Sequence, residues 1–209
     1  MQILSFCYGL ASANMYVLLF GKEAVVIDPC CPFSETGLED VDVKAALCTH
    51  GHFDHISEID DIYSRFLCPI YISKEDQNML YDPILNHGVD FGLQVSVSAP
   101  SSIFPGLDLK SADFGFSDPD AFSLKIVSTP GHTPGSSCFL FTTKESEKHM
   151  FTGDMLFMRS IGRTDLGGSY ADMTRSIDLL RSMDDDIVCY PGHGPETVLG
   201  IEKRNNPYF

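Results

Sequence analysis

The sequence predicts an α+β fold in which two mixed β-sheets pack face to face between helices, in one domain over residues 1–209. Three observations predict it. Strand-like runs lead into a helical period, and that order then repeats. No low-complexity linker divides the chain, and no repeat of fixed period occurs. A chain of 209 residues is long enough for one large core.

The elements follow in order. "QILSFCY", "NMYVLLF" and "EAVVID" are short β-rich runs separated by turn residues, which predicts an opening meander. "VKAALCTH" is a further apolar run and ends at a histidine cluster. "ISEIDDIYSRFL" is apolar at 56, 59, 62, 63, 66 and 67, a helical spacing. "PIYIS" reads as a strand. "KEDQNMLYDPIL" reads as a helix capped by Ser73 and interrupted by Pro83. Residues 86–120 are rich in Gly, Pro, Ser and Asp and predict loops and short strands. Their apolar run "FGLQVSVSAPSSIFPG" is read first as core. "FSLKIVSTPGH" is a strand running into a loop, and "SCFLFTT" and "KHMFTGD" form a hairpin across "KESE". "SYADMTRSIDLLRSM" is a helix with a capping box at Ser169 and Asp172. "DIVCYPGHGP" is a last strand running into a loop.

Composition narrows the function classes. Hydrophobic residues at 44% and charged residues at 21% are ordinary for a soluble globular protein. A net charge of −15 repels phosphate backbones and argues against nucleic acid as a partner. The seven cysteines are odd in number and form no C-x-x-C pair, which fits free thiols in a reducing compartment. The apolar N-terminus has no basic region before it, and Tyr8, Gly9, Ser12 and Asn14 break it short of a membrane span. It therefore reads as core strands of a cytoplasmic protein with no membrane partner.

The chemistry concentrates at strand ends. His50, His52, Asp54 and His55 follow one predicted strand, His132 a second, Asp154 a third and His193 a fourth. Loops on a rigid sheet are where reactive groups usually sit. Only His87 and His149 fall outside this pattern. In extended chain, side chains at i and i+2 point the same way, so His50 and His52 can grip one ion together. A turn after Phe53 can aim Asp54 and His55 at a second. Imidazole and carboxylate without thiolate suit zinc, iron or manganese. A catalytic zinc needs about three protein ligands and an open position, so seven candidates match two sites sharing a carboxylate.

"THGHFDH", "TPGHTPGS", "TGD" and "PGHG", in this order and spacing, resemble the metallo-β-lactamase superfamily over nearly the whole chain. The resemblance implies an αβ/βα sandwich with the metals at one edge. It implies two divalent ions, zinc first, with iron or manganese as alternatives. His50, His52 and His132 would hold one ion, and Asp54, His55 and His193 the other. Asp154 would bridge them. Asp28, in "VVIDPC", would orient the metal loop without ligating.

Within that superfamily, "LFMRSIGRTDLGGS" is similar to the glyoxalase II group, where a basic residue at the position of Arg163 binds the carboxylate of the substrate's thiol half. Arg163 can equally lock its loop by pairing with Asp165. Full-length glyoxalase II carries a C-terminal helical domain that holds glutathione, and this chain ends 16 residues after His193 without one. The tail "ETVLGIEKRNNPYF" resembles short glyoxalase II-like hydrolases, with Lys203 and Arg204 read as acid-paired surface groups. The implied activity is hydrolysis of a small anionic S-lactoyl-type thioester by a metal-activated hydroxide, with Asp54 and Asp154 orienting it. "GRTD" also occurs in persulfide dioxygenases that use a single iron, which is the alternative, and a lactonase is a third reading. Neither Tyr16 nor Tyr170 is singled out as an acid.

Overall fold

The computed structural model describes every residue from Met1 to Phe209. In chain order, β1 (Gln2–Tyr8), β2 (Ala13–Phe20), β3 (Glu23–Ile27), β4 (Asp42–Leu47), β5 (Ile70–Ile72) and β6 (Ser101–Ile103) lie side by side in one sheet. The first three form the antiparallel meander, and β3 to β6 are parallel. A parallel neighbour requires a crossover. Between β4 and β5 the crossover consists of α1 (Phe53–Ile56) and α2 (Ile59–Phe66).

The second sheet is built from β7 (Asp108–Lys110), β8 (Phe122–Ser128), β9 (Ser137–Thr143) and β10 (Lys148–Gly153). After it come a small hairpin, β11 (Leu156–Phe157) with β12 (Ser160–Ile161), and the helix α3 (Tyr170–Arg181). The chain then returns to the sheet as β13 (Val188–Pro191) and β14 (Thr197–Val198) and ends in α4 (Leu199–Asn205). The spatial order is β14-β13-β10-β9-β8-β7, with β10 and β13 parallel across α3.

Where both faces are covered, as at β2 and β3, the strands read as continuous apolar runs rather than as alternation. On β2, Tyr16 and Leu18 join Leu124, Ile126, Phe139, Phe141 and Phe151 between the sheets. Met15 and Val17 face the other way, onto Ile56, Ile59 and Ile62. On the far side of the second sheet, Cys138, Met150 and Cys189 pack against Met173, Ile177 and Leu180 of α3. Each such side chain contributes about 1.5–3 kcal/mol when fully buried. The result is an αβ/βα sandwich.

Two elements differ from expectation. The helix read from Ile56 is interrupted after one turn, because Glu58 N–H donates to Pro29 O at 2.9 Å instead of continuing the ladder. Its period still holds, with Ile56, Ile59 and Ile62 buried. The helix expected over 74–85 does not form. Ser73 Oγ does accept from Asp76 N–H, at 3.3 Å. However, only a 3₁₀ turn, Gln77–Leu80, follows. The side chain of Asp76 turns inward to tertiary partners, and that burial outweighs local helix propensity.

The capping box of α3 is half formed. Ser169 Oγ accepts Asp172 N–H, but Ser169 N–H donates to Gly131 O at 2.8 Å rather than to Asp172. The apolar run after Phe91 divides: Val97 and Ala99 are buried in core, while Phe91 stays half-exposed. Six cysteines are buried and free, and Cys7 is exposed. No helix is long and apolar enough to cross a membrane.

Candidate metal centre

Parallel strands deliver their C-terminal ends to one edge of the sandwich. His50, His52, Asp54 and His55 follow β4, Asp154 follows β10, and His193 follows β13. His132 arrives on the loop between β8 and β9. Ligand atoms of His50, His52 and His132 lie within 4.8 Å of one another, and so do those of Asp54, His55 and His193. Asp154 lies between the groups. Its Oδ2 is 3.4 Å from His132 Nε2 and 3.5 Å from His193 Nε2, and its Oδ1 is 3.4 Å from His55 Nε2. A Cβ at Gly192 would stand 2.3 Å from that Oδ1, so only glycine lets the β13 loop close over it.

The hydrogen bonds fix the tautomers. His132 Nδ1 donates to Arg163 O at 2.7 Å, His52 Nε2 to Leu166 O at 3.3 Å, and His193 Nδ1 to Ser12 O at 3.3 Å. His55 Nδ1 donates to Asp28 Oδ2 at 3.0 Å. Thr49 spends its hydroxyl proton on Asp28 Oδ2 at 2.7 Å, so its oxygen accepts from His50 Nδ1 at 3.0 Å. Every outer nitrogen is thus a donor, so the inner nitrogens face the centre and offer lone pairs there once they are deprotonated. The inner nitrogens of His52 and His132 are only 2.8 Å apart. Two lone pairs at that distance repel unless a cation lies between them. The buried His50 Nε2 and Asp154 Oδ1 have no hydrogen-bond partner at all. A donor set of this kind fits divalent ions, because it holds converging lone pairs that the protein does not satisfy itself.

Electrostatics divides the cluster. Burial, reinforced by the neighbouring histidines, holds His50 well below the usual imidazole range. Burial and His132 push His52 down to about 3. Burial also works against a charge on His55, but Asp54 and Asp154 overcome it and raise that ring well above its ordinary value. His193 is raised to about 10 against its own burial by Asp154 and Asp54. Asp154 and Asp54 are held low, since their histidine partners outweigh the cost of burial. The negative charge that favours a proton on these rings also favours a divalent ion.

Asp28 stands behind the cluster with φ 51°, a left-handed conformation that Asp tolerates. Its Oδ1 accepts Thr49 N–H at 2.7 Å, and its Oδ2 serves Thr49 Oγ1 and His55. Arg163 lies at the rim of a cleft of about 270 Å³ over the cluster. Its Nε and Nη2 each donate to Asp165 at 2.6 Å. Lys203 and Arg204 both pair with Asp185.

Three residues escaped the sequence reading. His87 is in the cleft wall, its ring 5.4 Å from that of His52 and its Nδ1 2.8 Å from Asp90. Its left-handed backbone, φ 63°, turns it there from a loop with no periodic pattern. Asn14 Nδ2 donates to Pro191 O and Gly194 O, at 3.0 and 2.9 Å, and so holds the His193 loop. Asp76 is the third. His149 lies away from the cluster against Tyr190. Tyr16 donates its hydroxyl proton to Pro191 O at 2.7 Å, and Tyr170 is exposed on α3.

The family model of the metallo-beta-lactamase superfamily matches residues 8–193. The chain belongs to that superfamily. An uncharacterized protein of Mycobacterium tuberculosis is 40% identical, covering 100% of this chain and 98% of that protein. Hydroxyacylglutathione hydrolase GloC of Haemophilus influenzae is 34% identical over 90% of this chain and 88% of its own length. Among solved structures, BLEG-1 B3 metallo-beta-lactamase superposes with a TM-score of 0.85 at 31% identity over 99% of each chain. TTHA1623 in a di-iron-bound form superposes with 0.78 at 29% identity, over 99% of this chain and 100% of that one. The metallo-beta-lactamase fold is therefore shared over the whole length of this chain.

Proposed function

We propose that this superfamily member is a hydrolase dependent on two divalent ions, cleaving a small anionic thioester of the S-lactoyl-thiol type. The observation that carries the reading is the set of five histidines with outer nitrogens committed to protein acceptors and inner lone pairs converging on two carboxylates. His50, His52 and His132 would hold one ion and Asp54, His55 and His193 the other, with Asp154 placed to serve both. The ions supply Lewis acidity, activating water and polarising a carbonyl. The chain does the rest. Asp54 and Asp154 offer carboxylate oxygens that accept hydrogen bonds and orient the attacking water. Arg163 at the rim keeps donor capacity beyond its two bonds to Asp165 and meets the substrate's carboxylate. A thiolate leaves with a pKa of roughly 8.5, so the cleft has no need of a strong general acid.

The 34% identity to a hydroxyacylglutathione hydrolase supports the thioester reading, and the likeness to a di-iron protein keeps iron beside zinc. One preparation, purified without added metal, tests it. Elemental analysis gives two ions per chain, S-lactoyl thioester is hydrolysed, and no O₂ is consumed with a persulfide. One iron with persulfide-dependent O₂ uptake replaces the hydrolase by a dioxygenase. Turnover of a lactone or a β-lactam with no thioesterase activity replaces the substrate class.

A further inference from the structure

Asp76 belongs to none of the strands that carry the cluster, yet it is fully buried behind it. Its Oδ2 accepts Thr133 Oγ1–H at 2.6 Å and Gly51 N–H at 3.2 Å, and its Oδ1 accepts Gly135 N–H at 2.8 Å. Gly51 separates His50 from His52, and Thr133 follows His132 directly. One carboxylate therefore ties the loop after β4, in the first sheet, to the loop before β9, in the second. The approach is close enough to exclude a side chain at 135, where a Cβ would stand 2.6 Å from Asp76 Oδ1 and 2.0 Å from Ser73 Oγ. A backbone bond also joins the two loops directly, Ser137 N–H donating to Thr49 O at 2.9 Å. None of these bonds touches Asp54, His55 or His193.

We propose that Asp76 is a positioning residue that sets the spacing of His132 against His50 and His52, so that it governs one of the two ion sites and not the other. The inference rests on the metal-centre reading. Only a carboxylate serves both backbone donors. An asparagine would turn its amide nitrogen toward either Gly51 N–H or Gly135 N–H, and two donors would then face each other. The Asp28 carboxylate has the matching place behind His55. Asp28 also reaches His50 through Thr49, so of the two buried aspartates only Asp76 stands behind one group alone.

Titration of ion-free protein with Zn²⁺ against a competing chelator, and with Co²⁺ followed by visible spectroscopy, tests this. The wild-type chain takes up two ions. Asp76→Asn keeps one at unchanged affinity and binds the other about 10–100-fold more weakly, with an altered Co²⁺ spectrum for that ion alone. Thr133→Val, which removes one of the three bonds to Asp76 together with the hydroxyl contact to Ser136, shows a smaller selective loss, and Thr133→Ser restores wild-type binding. That pair decides the matter if Asp76→Asn does not fold. Two ions at wild-type affinity in Asp76→Asn, or in Thr133→Val where Asp76→Asn fails to fold, would overturn the proposal, as would parallel weakening of both. A wild-type chain that binds no ion sinks the metal-centre reading and the inference with it.

Discussion

The His50–His52–His132 group and the Asp54–His55–His193 group hold the same ring in opposite settings. His50 and His55 are equally buried, at 1% and 0% exposure, yet His50 is driven toward the neutral form and His55 toward the charged one. Depth cannot account for the difference. The carboxylates of Asp54 and Asp154 act on His55, whereas His50 is surrounded chiefly by other imidazoles. A three-imidazole group brings no negative charge of its own, so an ion there would draw neutralisation from Asp154, whose carboxylate lies between the groups. The second group brings Asp54 as well.

That contrast can be broken in graded ways. The largest effect is expected from Asp154→Ala, which strips a carboxylate from both groups. Elemental analysis should find both ions weakened by more than about 100-fold, with hydrolysis lost in step. Two tightly held ions and normal turnover in that variant would remove the bridging role. Asp28→Asn comes next. It places an amide nitrogen or a weaker acceptor against the His55 Nδ1 donor, so the Asp54–His55–His193 ion should weaken by roughly 10–100-fold and the other by less, through the Thr49 bond to His50. Equal loss at both would mean that Asp28 supports the whole loop through Thr49 instead.

Arg163→Ala should leave both ions in place and raise KM several-fold for an anionic thioester only. Steady-state kinetics on an anionic and a neutral ester would expose a purely structural role by showing equal change. The smallest effect is Ser169→Ala, which removes the cap of α3 and should cost about 1 kcal/mol in denaturant unfolding. Ion affinity stays constant there, because the bond from Ser169 to the Gly131 carbonyl is made by its backbone.

Much of this was legible in the sequence because the relevant rules are local. Asp154, His193 and the first cluster each follow an apolar strand that a linear reading can find. The αβ/βα layering was legible from the order of strands and helices. Asp76 was not, because its three partners lie 25, 57 and 59 residues away and nothing in "SKEDQNML" marks that carboxylate as buried. The same blindness turned its segment into a helix on paper. His87 was passed over because a left-handed backbone, not a period, aims its ring. For Arg163 the loop-locking pair with Asp165 is present, at the wall of the cleft.

The cluster lies on a seam. His50, His52, Asp54 and His55 come from the first sheet's side, and His132, Asp154 and His193 from the second's. An ion gripped from both sides would act as a rivet between the halves, so that occupancy and adhesion would be one quantity. Free ion at 100 times its dissociation constant adds about 2.7 kcal/mol to stability by mass action. Heat resistance of this chain should therefore report the metal supply of its surroundings.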